Sequence, residues 1–308
     1  MGLTGRTPLT IRLSAAAAAA YLIFATAAVA EPPPEPIVRL ITEAARTGNP
    51  ATLKQTADLA KATYPASAPE IDALVANLQA QAEAARVARL REQGFFQGWS
   101  GEGEIGASQT TGTARNTTIA AGVKLNKDGI DWQHHLAGLV DYQHSNGVTT
   151  ANRELASYDA NYKITPRLFA DGFLQWEQDR FAGFTRRFTE SLGLGYNILG
   201  GPIMTWQVSG GPALRQTTFI TRASENDVTA RGATQFVWNF TPATAFSEDA
   251  GVYLGGRDNT YFSTTAATTK ILGDLSARLS FNINIESHPP PGIQNTSTIS
   301  RFTLVYGF

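Results

Sequence analysis

The feature that most constrains this chain is a change of period. From Phe95 to the last residue, apolar and polar side chains alternate, with aromatics, Thr, Ser and Gly replacing the Ala, Leu, Glu and Arg that precede them. A period of two belongs to a strand with two unlike faces. Tight turns punctuate the pattern: Asn126-Lys127-Asp128-Gly129, Ile164-Thr165-Pro166-Arg167, Leu199-Gly200-Gly201-Pro202, Phe240-Thr241-Pro242-Ala243 and Leu272-Gly273-Asp274. Longer polar connections lie between them, at residues 109–115, 144–151, 180–184, 217–227, 256–259 and 288–295. Short turns at one end and longer loops at the other are the outer-membrane arrangement, and their number implies about 12 strands. The expected fold is all-β and transmembrane, an antiparallel up-and-down outer-membrane β-barrel over residues 95–308.

The two faces can be read off directly. In the third strand Ile130, Trp132, Leu136, Gly138, Val140 and Tyr142 share one side, and Asp131, Gln133, His135, Asp141 and Gln143 the other. The eleventh sets Leu275, Ala277, Leu279, Phe281, Ile283 and Ile285 against Ser276, Arg278, Ser280, Asn282, Asn284 and Glu286. A soluble sandwich also alternates, but it has no use for a rim of aromatics. Here Trp132, Tyr162, Tyr196, Trp206, Trp238 and Tyr306 fall near the tight turns or the C-terminus, as a girdle at one membrane interface would. At the end, Phe302, Leu304, Tyr306 and the terminal Phe308 alternate with Arg301, Thr303, Val305 and Gly307. An apolar alternation ending in Phe resembles the signal read by the barrel-assembly machinery, which is therefore an expected partner beside outer-membrane lipid.

What precedes the barrel reads differently. Residues 1–30 have Arg6 and Arg12, an apolar run from Leu13 to Thr26 and Ala28-Val29-Ala30, the pattern of a secretory signal peptide. Residues 31–36 are a Pro-rich linker. Residues 37–94 are expected to be a periplasmic helical segment, with helices over Ile37–Ala45, Ala51–Thr63 and Ala68–Gln93 and breaks at Gly48-Asn49-Pro50 and Tyr64-Pro65. Beyond the signal no apolar stretch reaches the roughly 20 residues of a membrane-spanning helix. The chain has no Cys, and 25 Lys plus Arg against 26 Asp plus Glu. These totals exclude a disulfide scaffold, a thiol enzyme and a Cys-based zinc site, and give no reason to expect nucleic acid as a partner.

The stretch Gly98-Trp99-Ser100-Gly101-Glu102-Gly103-Glu104-Ile105-Gly106-Ala107-Ser108-Gln109-Thr110-Thr111-Gly112 resembles the opening strand of the domain-of-unknown-function family numbered 481, often labelled salt-induced outer-membrane protein. The resemblance covers about residues 95–308 and implies an outer-membrane barrel. The family pattern continues Gly-Asn-Thr, whereas this chain has Gly112-Thr113-Ala114-Arg115-Asn116-Thr117. The family label implies a link to osmotic stress but no catalytic or ligand residue.

If the apolar face meets lipid, the polar face lines the lumen. Glu102, Glu104, Lys124, Asp131, His135, Asp141, Arg153, Asp159, Lys163, Asp171 and Glu177 then point inward from the first five strands. Arg187, Arg215, Arg231, Arg278, Glu286 and Arg301 do so from the later ones. Acids crowd the first wall and arginines the second. Two arrangements compete: a transverse field across a narrow aqueous pore, or pairing of the same charges across the lumen that closes it. In strand nine Phe246 and Glu248 share a parity, which suggests a bulge or a register error and leaves Asp249 unassigned. Passage or binding of small polar solutes is the leading expectation. The alternatives are a closed structural barrel and an outer-membrane lipid hydrolase.

No enzyme site emerges. His135 faces inward, His134 has lipid-face parity, and His144 and His288 are placed in loops. Adjacent His134 and His135 on a strand point to opposite faces and cannot share an ion. Gly200-Gly201-Pro202 and Gly210-Gly211-Pro212 open no helix and lack the Lys and Ser/Thr of a phosphate loop, so they read as a turn and a strand kink. No catalytic residue, cofactor or metal is expected.

Overall fold

The computed structural model describes residues 31–110, 116–255 and 257–308. The expected signal peptide at 1–30 and most of the first loop lie outside the described residues. The chain divides into two compact units, Met1–Arg86 and Val87–Phe308, with the division inside the third helix.

The first unit carries α1 (Glu35–Arg46), α2 (Pro50–Thr63) and most of α3 (Ala68–Glu92). Gly48 leaves α1 at a φ of 67°, the left-handed region that favours glycine. Asn49 then caps α2: its Oδ1 accepts from the N–H groups of Ala51 at 2.9 Å and Thr52 at 3.4 Å, while Pro50 fills the first helical position. The spacing of apolar residues brings Ile41, Ala44, Leu53, Ala57, Ala60 and Ile71 into one buried cluster, with Ile37, Leu74, Val75 and Leu78 packed around it.

The second unit contains a closed antiparallel barrel of twelve strands. They are β1 (Ser100–Thr110), β2 (Asn116–Asp128), β3 (Trp132–Ser145), β4 (Val148–Lys163), β5 (Leu168–Asp179) and β6 (Phe184–Leu199). The other half is β7 (Met204–Phe219), β8 (Glu225–Asn239), β9 (Thr244–Leu254), β10 (Thr260–Leu272), β11 (Leu275–Glu286) and β12 (Thr296–Gly307). Each strand pairs with its neighbours in sequence, and β12 returns to β1 to close the ring. Closure leaves no open edge, which is what lets strands cross a membrane. The seam is short: β1 and β12 are in register from Glu102–Gly307 to Ile105–Leu304, and Gly101 and Phe308 exchange backbone hydrogen bonds just below. By comparison β11 and β12 pair from Leu275–Tyr306 to Ile285–Thr296.

Large apolar side chains stand on the outside. Leu192 is 75% exposed, Phe302 65% and Leu279 61%, values that suit lipid and not water. The molecule is an outer-membrane barrel, with a turn end and a loop end.

Three expectations change here. The loop at 144–151 shrinks to Asn146-Gly147, with φ of 48° and 84°, because an Asn-Gly pair makes the tight turn that matches strand twist. His144 therefore belongs to β3, not to a loop. Asp131 is not in a strand: the N–H of Gly129 donates to the carbonyl of Trp132 at 2.7 Å, closing a turn that leaves Asp131 exposed at the rim, outside the lumen wall. Strand nine has no bulge, since β9 pairs in unbroken register with both β8 and β10. Phe246 and Glu248 both face outward, and Asp249 faces inward beside Gln235, whose Nε2 is 3.4 Å from its carboxylate. Glu248 is tolerated on the outer face because Ser263 and Thr265 of β10 each donate a hydroxyl to it at 2.5 Å.

A candidate functional site in the barrel lumen

The lumen is built by the polar parity of every strand, and its charges meet in pairs. Arg187 of β6 reaches the carboxylate of Glu286 on β11 at 2.7 Å. Arg231 of β8 reaches Asp171 of β5 at 3.0 Å. Arg301 of β12 grips Asp141 of β3 through Nε at 2.9 Å and through a second guanidinium nitrogen, and donates to Asn282 at 2.7 Å. Arg278 of β11 spans Glu102 at 2.7 Å and Glu104 at 3.0 Å, both on β1. Arg153 and Glu177 meet between adjacent strands at 2.8 Å.

The two charged walls are therefore not held apart. An arginine leaving water loses far more by standing alone than by reaching for a carboxylate, so strand tilt and long side chains collapse the expected transverse field into contacts. Arg215 is the exception among these arginines: it donates to Thr260 at 2.8 Å and lies over the Tyr253 ring at 4.5 Å, while Thr260 itself donates to Glu286 at 2.8 Å. Lys124 stands 3.8 Å from Glu102. Lys163 sits at the turn-end rim, bonded to Asp128 at 2.5 Å and to the carbonyl of Gly129. Asp159 faces inward opposite Phe173. His135 also faces inward, its Nδ1 2.7 Å from the side-chain oxygen of Asn126.

One sector of the interior is filled. Phe169 is 4% exposed and lies flat against Gly195, where a Cβ would come within 2.1 Å of its ring. Phe173 carries the Arg231 guanidinium at 4.0 Å. These rings share the parity of Asp171 and Glu177, so an aromatic on a polar face was the available signal for the fill. A cavity of about 840 Å³, lined from every strand but β8, opens among the loop-end residues Gly292–Ile299 and runs past Arg301 and Arg278 to Glu102 and Lys124. A second cavity of about 490 Å³ at the turn end is lined by Ser100, Asn126, Asp274 and Phe308, and again by Glu102. The two share Glu102, which Arg278 holds.

The histidines do not assemble a catalytic group. His134, on the outer face, bonds through Nδ1 with the Tyr158 hydroxyl at 2.8 Å. At the loop end the Ser287 hydroxyl lies 2.9 Å from His288 Nδ1 and 3.0 Å from the Asp258 carboxylate. That trio has the residue types of a hydrolase, but the serine sits between base and acid, so the carboxylate orients the hydroxyl and not the imidazole. It ties loop 255–259 to loop 287–295. Among the described residues no His, Asp or Glu group is arranged to hold a metal.

Trp132, Tyr162, Tyr196, Trp206, Trp238 and Tyr306 all stand half-exposed on the outer face close to the turn end. Phe302, Leu304 and Tyr306 point outward along β12, and Phe308 ends the strand at the seam. Gly200-Gly201-Pro202 lies in the turn before β7. Gly210-Gly211-Pro212 lies within β7, where a Cβ on Gly211 would stand 2.2 Å from the Leu192 carbonyl; β6 and β7 approach closely there.

The family model described as a protein of unknown function, DUF481, matches residues 103–308. The uncharacterized protein YdiY of Escherichia coli (strain K12) is 23% identical over 209 residues, covering 67% of this chain and 82% of that protein. Among solved structures, an outer membrane channel from Pseudomonas putida F1 is similar over 68% of this chain and 95% of its own, at a TM-score of 0.44 and 11% identity. The NanC porin is similar over 68% and 98%, at a TM-score of 0.41 and 10% identity.

Proposed function

The chain belongs to the protein family of unknown function DUF481, and from its own lumen we propose that it is a narrow outer-membrane channel for small polar solutes. One observation carries this reading: the loop-end and turn-end cavities share Glu102 in their linings. In this reading the constriction is Arg278 held between Glu102 and Glu104, with Lys124 beside it. The loop-end cavity is lined from every strand but β8 and reaches β1 and β2 at Glu102 and Lys124, while Phe169, Phe173 and the Arg231–Asp171 pair fill part of the interior. Short turns face the periplasm in barrels of this kind, so in this reading the Gly292–Ile299 mouth opens outside.

Alternating opposite charges at a constriction favour small zwitterionic or neutral polar solutes over large ions of either sign. Passage of such solutes under osmotic stress is the physiological role this pore would suit. The test is single-channel conductance of the full mature protein in a planar bilayer, beside Arg278→Ser. The reading expects stable small openings that widen in the variant and turn cation-selective, because Glu102 and Glu104 lose their counter-charge. Should neither form conduct although heat-modifiable mobility shows a folded barrel, the ion pairs close the lumen and a structural barrel replaces the channel.

A further inference from the structure

The proposed channel leaves a series of aromatic rings on the outside of the barrel without a role. Residues 94–99 approach β1 along the outer face. Lys127 Nζ donates to the carbonyls of Gly94 at 2.6 Å and Phe95 at 2.8 Å, and lies 5.6 Å from the centre of the Phe95 ring. The Trp99 indole N–H donates to the Phe95 carbonyl at 2.8 Å. Phe95 meets the Phe96 ring at 5.3 Å and the His134 ring at 6.1 Å. His134 is stacked with Trp132 at 6.1 Å, and Trp132 contacts Tyr162 at 5.1 Å. The rings therefore run without a break from the approach segment into the outer aromatic rim at the turn end.

Phe95 is 57% exposed and Phe96 90%. Two phenylalanines held out at the level of a girdle have one environment that suits both ring and backbone, the boundary between headgroups and acyl chains. Just upstream Arg89 and Arg91 are exposed with Glu92, an excess of one positive charge of the kind that lipid phosphates attract. We propose that residues 89–99 form an interfacial anchor, lying in the phospholipid headgroup layer at the turn end, with Phe95 and Phe96 inserted and the arginines against phosphate. The anchor brings the chain to β1 from outside the wall, so this segment does not thread the lumen. Its His134–Tyr158 hydrogen bond and the Lys127 clamp are then the supports that hold the rings at that depth.

Because the chain has no cysteine, Phe96→Cys gives one labelling site in the full-length protein, at a position exposed enough to leave folding undisturbed. A nitroxide placed there is compared, in vesicles of phosphatidylethanolamine and phosphatidylglycerol, with labels at Leu279→Cys on the outer wall and Lys54→Cys on α2. Heat-modifiable mobility confirms the folded barrel in each case. The anchor predicts collision with dissolved oxygen close to that of Leu279→Cys, and several-fold less collision with a water-soluble nickel chelate than at Lys54→Cys. A Phe96 label as open to nickel as Lys54→Cys overturns it. So does a label shielded from both reagents, which would mean that protein, not lipid, covers the rings.

Discussion

Removing the carboxylate of Glu286 should cost the barrel several kilocalories per mole. Glu286 and Arg187 have side chains 7% and 6% exposed and meet at 2.7 Å. With charge centres about 4 Å apart and an effective dielectric constant of about 20, their attraction is about 4 kcal/mol. The same carboxylate accepts from Thr260 at 2.8 Å, and Thr260 accepts from Arg215, so two guanidiniums depend on one negative charge. Glu286→Gln keeps the volume and one acceptor oxygen but takes from Arg187 the carboxylate it touches and from Arg215 the charge behind Thr260. Breaking a buried pair in this way costs roughly 3–5 kcal/mol. The assay is reversible urea unfolding in lipid vesicles followed by tryptophan fluorescence, with Arg187→Met and the double variant completing a cycle. The double variant should recover the share of the loss that Arg187 carries, while Arg215 still lacks the Glu286 charge. A loss below about 1 kcal/mol for Glu286→Gln, the scale of an exposed ion pair, would mean instead that water screens this part of the lumen.

Other predictions are simpler to state. Gly195→Val must displace the Phe169 ring, which a Cβ would meet at 2.1 Å, and should destabilise the barrel by about 1–3 kcal/mol in the same unfolding assay. Asn49→Ala removes the α2 cap and should lower hydrogen-exchange protection of α2 in the full-length protein by about 1 kcal/mol, with the barrel amides unchanged. The hydrogen bond from Lys54 at 2.8 Å holds the Asp58 carboxyl below its ordinary range. A lowered folded value contributes stability above the unfolded value near 4 and loses it as pH falls. Protection of α2, corrected for the intrinsic exchange rate at each pH, should therefore fall below about pH 4 in the native chain, and the fall should shrink in Asp58→Asn.

Alternation alone placed most of the wall. Asp141, Arg153, Asp171, Glu177, Arg187, Arg231, Arg278, Glu286 and Arg301 all face inward as their parity requires. What parity cannot supply is which inward residue reaches which, because that depends on the tilt and stagger of the closed sheet. Arg301 finds Asp141 across β1 and β2, at a separation of 160 residues that no local pattern encodes. The misread loop at 144–151 did carry its signal, an Asn-Gly pair between alternating strands. Glu248 looked like a register fault only because its two hydroxyl donors lie on the next strand. The alternation expected from Phe95 starts in the structure only at Ser100, and the adjacent Phe95 and Phe96 acquire a place only when β2 and β3 stand beside them.

The short seam between β1 and β12 bears on how the barrel comes into being. Two of its interior links straddle that seam: Arg278 reaches over β12 to β1, and Arg301 reaches over β1 and β2 to β3. Neither can form in an open sheet, so the ladder that closes the ring is also the one that brings these arginines to their partners. Completion is thus rewarded from within, and the polar interior works as a latch on the chain's own topology. A lateral parting of the wall would have to undo that latch before the few backbone bonds at Glu102–Ile105 could yield.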